Sequence, residues 1–121
     1  MISKKELSEL LHRLDIPVGE GEHFLDSSGE YPKVAYWEYL WSDDMASGDH
    51  YLEIVRYQIS FVSKTPRHKK LKELKKLIND AGMHPEIYHE YVKGSDNSTN
   101  NTPGTFHSYF YIDIAEDLAN G

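Results

Sequence analysis

Apolar and polar residues alternate along H-Y-L-E-I-V-R-Y-Q-I-S-F-V-S-K, residues 50–64. Val55, Tyr57, Ile59 and Phe61 point to one side of an extended chain, and Arg56, Gln58 and Ser60 to the other. That is the pattern of a half-buried strand with its apolar face on a core. Thr65-Pro66 then punctuates the chain. Thr65 suits a helix cap and Pro66 the first helical position, where its missing N–H costs nothing. In H-K-K-L-K-E-L-K-K-L-I-N-D-A, residues Leu71, Leu74, Leu77, Ile78 and Ala81 recur at helical spacing as one apolar stripe. Gly82 suits the left-handed position that ends a helix. Burying each large side chain of the stripe is worth roughly 1.5–3 kcal/mol. The stripe therefore needs a sheet face, and the preceding strand offers one.

The same reading extends in both directions. Ser3 and Glu6 have the spacing of a capping box, with Ile2 placed as a hydrophobic staple against Leu7. Leu7, Leu10, Leu11 and Leu14 form the apolar face of that first helix, which Ile16-Pro17 stops. Residues 18–32, rich in glycine, read as a loop with Phe24 and Leu25 as an anchor and one short strand around residues 22–25. Residues 33–41 read as a strand, with Val34, Tyr36 and Leu40 on one face and Ala35, Trp37, Tyr39 and Trp41 on the other. The second face is too aromatic to be left wet, so either an interface or a second layer of the chain should cover it. Residues 85–92 read as a strand whose proline marks a start or an edge. The polar stretch 93–105 reads as a mobile connection, and its glycosylation-like triplets at Asn97 and Asn100 read as incidental. A last strand sets Phe110, Ile112 and Ile114 against Tyr109 and Tyr111, and a polar tail spans 115–121. These elements predict one α+β domain over residues 1–121.

Charge changes this picture more than composition does. The chain carries a net −7 and no cysteine, which disfavours non-specific nucleic-acid binding and removes disulfide and thiolate chemistry. No run approaches a membrane span, and the start does not resemble a signal peptide. Residues 66–76 hold six cations against Glu73 alone, a net +5, whereas residues 15–53 hold Lys33 against ten acids, a net −9. Such a molecule can attract copies of itself head to tail, although a lysine-rich helix face is also ordinary solvated surface.

Catalytic and metal chemistry find little footing. Asp43, Asp44 and Asp49 lack the ligand spacing and closing Glu of a calcium loop. His89 and His107 could face each other near Glu90 across the terminal hairpin, but no metal-binding motif accompanies them. No phosphate-binding glycine loop or nucleophile elbow occurs. Lys69, Lys72 and Lys76 share a helix face that could grip phosphates, yet no aromatic residue is interleaved there. The expectation is a non-enzyme without metal or cofactor.

The order of elements resembles that of the small tail-completion or tail-terminator proteins of long-tailed phages, particularly those of prophages of Gram-positive bacteria. The resemblance rests on L-S-E-L-L-H-R-L, D-I-P-V, the strand Y-P-K-V-A-Y-W-E-Y, a polar Asp-bearing loop, the central strand with its Lys/Leu helix, G-M-H-P-E-I-Y and the aromatic last strand. It covers nearly the whole chain, and head-completion proteins of the same phage module share the size. It implies an antiparallel sheet of four to five strands with two helices packed on one face. It also implies a homo-oligomeric ring, usually a hexamer, in the virion tail, assembled in the host cytoplasm. Such a ring caps the tail tube protein, meets the head-tail connector protein and lets DNA pass without specific binding. On this reading Trp37, Tyr39, Trp41, Lys69, Lys72, Lys76, Asp43 and Asp44 form the subunit interface. Asp96, Asn97, Asn100 and Asn101 belong to a docking loop. The competing expectation is a soluble adaptor or inhibitor that binds one protein partner through the aromatic face.

Overall fold

The computed structural model describes residues 2–26, 30–47, 50–93, 96–97, 100–101 and 104–116; the side chains of 26, 43–47, 50–52, 96–97 and 100–101 lie outside that description. Helix α1 spans Lys4–His12. The Ser3 hydroxyl accepts from the Glu6 N–H at 3.1 Å, and the Glu6 carboxylate accepts from the Ser3 N–H at 3.4 Å. Two orphan donors of the first turn are thereby satisfied. Helix α2 spans Lys69–Asp80 and starts later than the sequence suggests. Arg67 adopts a left-handed φ of 50°, which a right-handed helix cannot include, so Thr65 and Pro66 belong to the turn before it. His68 is the cap instead, its Nδ1 accepting from the Lys70 N–H at 3.0 Å. The helix ends as expected. Gly82 has φ +89°, its N–H donates to Asn79, and the Met83 N–H donates to Ile78. This pairing satisfies two carbonyls of the last turn.

The strands β1 (Val18–Glu20), β2 (Lys33–Ser47), β3 (His50–Ser63), β4 (Tyr88–Val92) and β7 (Thr105–Ala115) form one sheet in the order β1-β2-β3-β7-β4. All pairs are antiparallel except β1 with β2. The fold is α+β. Both helices lie on one face, where Leu7, Leu10, Leu11 and Leu14 of the first helical segment and Leu71, Leu74 and Ile78 of α2 bury against Val55, Tyr57, Ile59, Phe61, Phe110, Ile112 and Ile114.

Four further local expectations need correction. The short strand lies at Val18–Glu20, and Glu22–Asp26 is a 3₁₀ turn. Gly19 explains the exchange: a Cβ there would overlap the Phe24 ring, so only glycine lets the turn fold back over the strand. The penultimate strand begins at Tyr88, not at residue 85, and occupies a sheet edge. Within 93–105, Asp96–Asn97 (β5) pairs with Asn100–Asn101 (β6) in a small ladder of its own; the remaining positions 94–95, 98–99 and 102–103 lie outside the described residues.

The fourth correction concerns the aromatic face of β2. Glu38 pairs with Tyr57 but Leu40 pairs with Arg56, so Tyr39 is an extra residue in a β-bulge. The parity of the strand flips there. Trp41 then pairs with Val55 and falls on the helix-bearing side, its indole N–H donating to Glu38 at 2.9 Å, while Leu40 moves to the outer side and stays 46% exposed. Trp37, Tyr39 and Trp41 therefore do not share one face.

Tyr57 ties this core to the end of β7. Its ring is fully buried and its hydroxyl donates to the Glu116 carboxylate at 3.0 Å. Burial first, and then that hydrogen bond, pushes the phenol well above its ordinary value. A group whose folded pKa is raised contributes stability below its unfolded pKa and loses it as pH rises from there toward the folded value. Stability should therefore fall as pH rises beyond about 10. Tyr57→Phe should cost about 1 kcal/mol at pH 7 and flatten that alkaline decline, as measured by urea unfolding at several pH values. An unchanged alkaline slope would remove Tyr57 as its source.

Candidate interaction face

The face of the sheet opposite the helices carries a row of tyrosines. Alternation along β7 turns Phe110, Ile112 and Ile114 inward and leaves Tyr109 and Tyr111 outward. Register then brings neighbours to them from both sides. Tyr88 of β4 lies directly opposite Tyr109, with ring centroids 5.4 Å apart and stacked. Tyr39, which keeps the outward side of Trp37 because the parity of β2 flips only after it, meets Tyr111 at 4.7 Å, and Tyr109 and Tyr111 meet edge to face at 6.1 Å. Four rings from three strands thus form one continuous strip, with Trp37 half-buried on the same face. Tyr39 and Tyr88 remain 56% and 46% exposed, so nothing in the described chain covers them. Elsewhere the same face is closed: Lys33, Ala35, Ser60 and Val62 are buried.

Polar groups border the strip. Arg56 donates to both carboxylate oxygens of Asp113, at 2.8 and 3.2 Å, and this pairing raises its pKa further. The Tyr88 hydroxyl donates to Glu86 at 3.1 Å, which with the nearby charge raises the Tyr88 phenol. Partial burial raises that of Tyr111. Both phenols are therefore neutral hydrogen-bond donors at physiological pH. Arg56, Pro85, Glu86, Tyr88, Tyr111 and Asp113 line an open groove of about 250 Å³ beside the strip.

The other residues singled out in the sequence are dispersed. Lys69, Lys72 and Lys76 are exposed on α2, on the opposite side of the sheet. Among the described residues the one ion pair on that helix joins Lys70 to Glu73 at 3.3 Å. Glu20 is held by Lys4 at 3.0 Å. Asp43 and Asp44 lie in the part of β2 that extends past the end of β7, and their side chains are outside the described set, as are those of Asp96, Asn97, Asn100 and Asn101. His89 pairs with Ser108 and His107 with Glu90, so the two histidines fall on opposite faces and cannot share an ion. The His89 ring instead lies 2.8 Å from the Ser108 hydroxyl beside a cavity of about 350 Å³ near the start of α2. Burial lowers the His107 pKa despite the opposing charge of Glu90. Among the described residues no three His, Cys, Asp or Glu side chains converge as metal ligands would.

No family model matches the chain, and no curated protein matches it.

The strip has a measurable energetic content in the isolated chain. Paired aromatic rings are worth about 0.5–1.5 kcal/mol beyond the area they bury. A double-mutant cycle of Tyr39→Leu and Tyr111→Leu, read by denaturant unfolding, should return a coupling in that range. Strict additivity would show that the two rings do not interact in solution.

Proposed function

We propose that the chain is a structural subunit that assembles with copies of itself through the tyrosine strip, as a ring that ends a phage tail tube and meets the head connector. The observation that carries this reading is the strip itself: four tyrosines side by side on a sheet face that the helices leave open. Tyrosine combines a large apolar body with a polar tip, and Tyr, Trp and Arg are the residues that dominate protein–protein contacts. An apolar patch of this kind on an otherwise charged protein marks an interaction site.

Charge favours protein over nucleic acid as the partner. The chain is net negative, and the Arg56 guanidinium that borders the strip is already paired with Asp113 through two of its N–H donors. Among the described residues a phosphate backbone would find no free positive charge beside those rings. The basic helix lies on the other side of the sheet from the strip, so a contact between unlike faces is head to tail. Contacts of that type close into rings when the rotation between neighbours allows. A net negative ring also suits a channel through which DNA must slide without adhering. The resemblance of the order of elements to that of tail-terminator proteins favours this form of assembly over others, and the ladder of β5 and β6 is a candidate contact with the connector.

Sedimentation velocity and electron microscopy of the purified chain, alone and with tail tubes, test this reading. Discrete rings, in solution or on tube ends, are expected. Tyr39→Ser with Tyr88→Ser should abolish them and leave a folded monomer, destabilised by no more than about 1–3 kcal/mol for the two lost ring pairs, since both side chains are exposed. A chain that stays monomeric at every concentration, with and without tubes, would sink the ring and leave a soluble adaptor with a single foreign partner.

A further inference from the structure

We infer that the groove between Tyr88 and Tyr111 is a socket for a lysine side chain from helix α2 of a neighbouring copy. The inference rests on the self-assembly proposed above and specifies its contact. Pro85 and the two phenol rings line the groove with apolar surface, and Glu86 and Asp113 supply carboxylates. Arg56 neutralises Asp113, which leaves the charge of Glu86 in excess. Glu86 accepts from the Tyr88 hydroxyl and keeps acceptor capacity for a second donor. A site with apolar walls, aromatic rings and one surplus negative charge suits a long aliphatic stem that ends in a cation.

The chain itself presents such groups. Lys69, Lys72 and Lys76 are exposed, and among the described residues none of them has a carboxylate partner. They recur three and four residues apart on one side of α2, a row about 10 Å long at the rise of an α-helix. Glu90, opposite the outward His107 in the ladder, adds a second exposed acid further along β4 on the same face as the groove. A row of lysines therefore faces a row of acids when α2 of one copy lies across the β4 edge of the next. Because α2 and the groove occupy opposite faces of one molecule, the contact repeats head to tail and uses each element once per subunit.

The test uses the full-length chain and compares four forms by sedimentation velocity over a range of salt: wild type, Glu86→Lys, the triple reversal of Lys69, Lys72 and Lys76 to Glu, and the combination of both. Each reversal should weaken association about tenfold or more at low salt, roughly the scale of a desolvated cation–π and ion-pair contact. The combination should recover much of the loss. Thermal melting of each form checks that folding is unchanged, and a Glu86→Gln variant should show an intermediate loss. If Glu86→Lys associates like wild type, or if the combination is as weak as the sum of its parts, the socket is wrong. In that case loss of association in Tyr39→Ser would still uphold the strip as the interface. A wild-type chain that never self-associates would overturn both.

Discussion

The alternation along β3 is the constraint from which the other parts take their positions. Val55, Tyr57, Ile59 and Phe61 must be dry, so both amphipathic helices gather on their side of the sheet. Each neighbouring strand inherits its orientation through register, because side chains opposite one another point the same way. Phe110 and Ile112 face inward because they pair with Ile59 and Tyr57, and Tyr109 and Tyr111 face outward for the same reason. The tyrosine strip is thus a consequence of covering one face and leaving the other. Among the described residues there are two α-helices, and both are used on the inner side.

That division separates the residues that hold the fold from those that the proposed assembly would use. Buried leucines and isoleucines hold the fold together. The outer face contributes contacts between rings and a half-exposed Arg56–Asp113 pair, which is worth little on its own. What the outer face offers instead is unspent apolar surface bordered by charge. The bulge at Tyr39 sharpens that offer. It leaves Tyr39 beside Trp37 on the outer face and diverts Trp41 to the helix side, so a single inserted residue decides whether the last aromatic of that run can meet the same partner.

Much of this architecture was legible in the sequence, because periodicity reports directly on burial. The capping box at Ser3, the stripe of α2, the glycine at its end and the two faces of β3 and β7 all follow from local chemistry. The misread elements depend on contacts between distant residues. Nothing local in Y-W-E-Y-L-W reveals that Tyr39 is the extra residue, since a bulge is defined by its partner strand. Thr65 and Pro66 are good starting residues and point to an earlier start for α2, whereas the left-handed turn at Arg67 is set by the way the chain leaves the sheet. The strip itself was half visible. Alternation puts Tyr109 and Tyr111 on one side of their strand, but Tyr88 and Tyr39 join them only through register. The groove residues Arg56, Glu86 and Asp113 come from three separated segments and carry no local signal.

The most direct test of the tyrosine strip as an interface is hydroxyl-radical footprinting, with mass spectrometry comparing dilute monomer and associated protein. Tyr39 and Tyr88 should be modified readily in the monomer and protected in the assembly, while Trp41, exposed on the helix-bearing side, stays reactive in both. Equal modification of Tyr39 and Tyr88 in the two states, or protection confined to Trp41, would contradict the assignment of the outer sheet face as the surface through which this protein assembles.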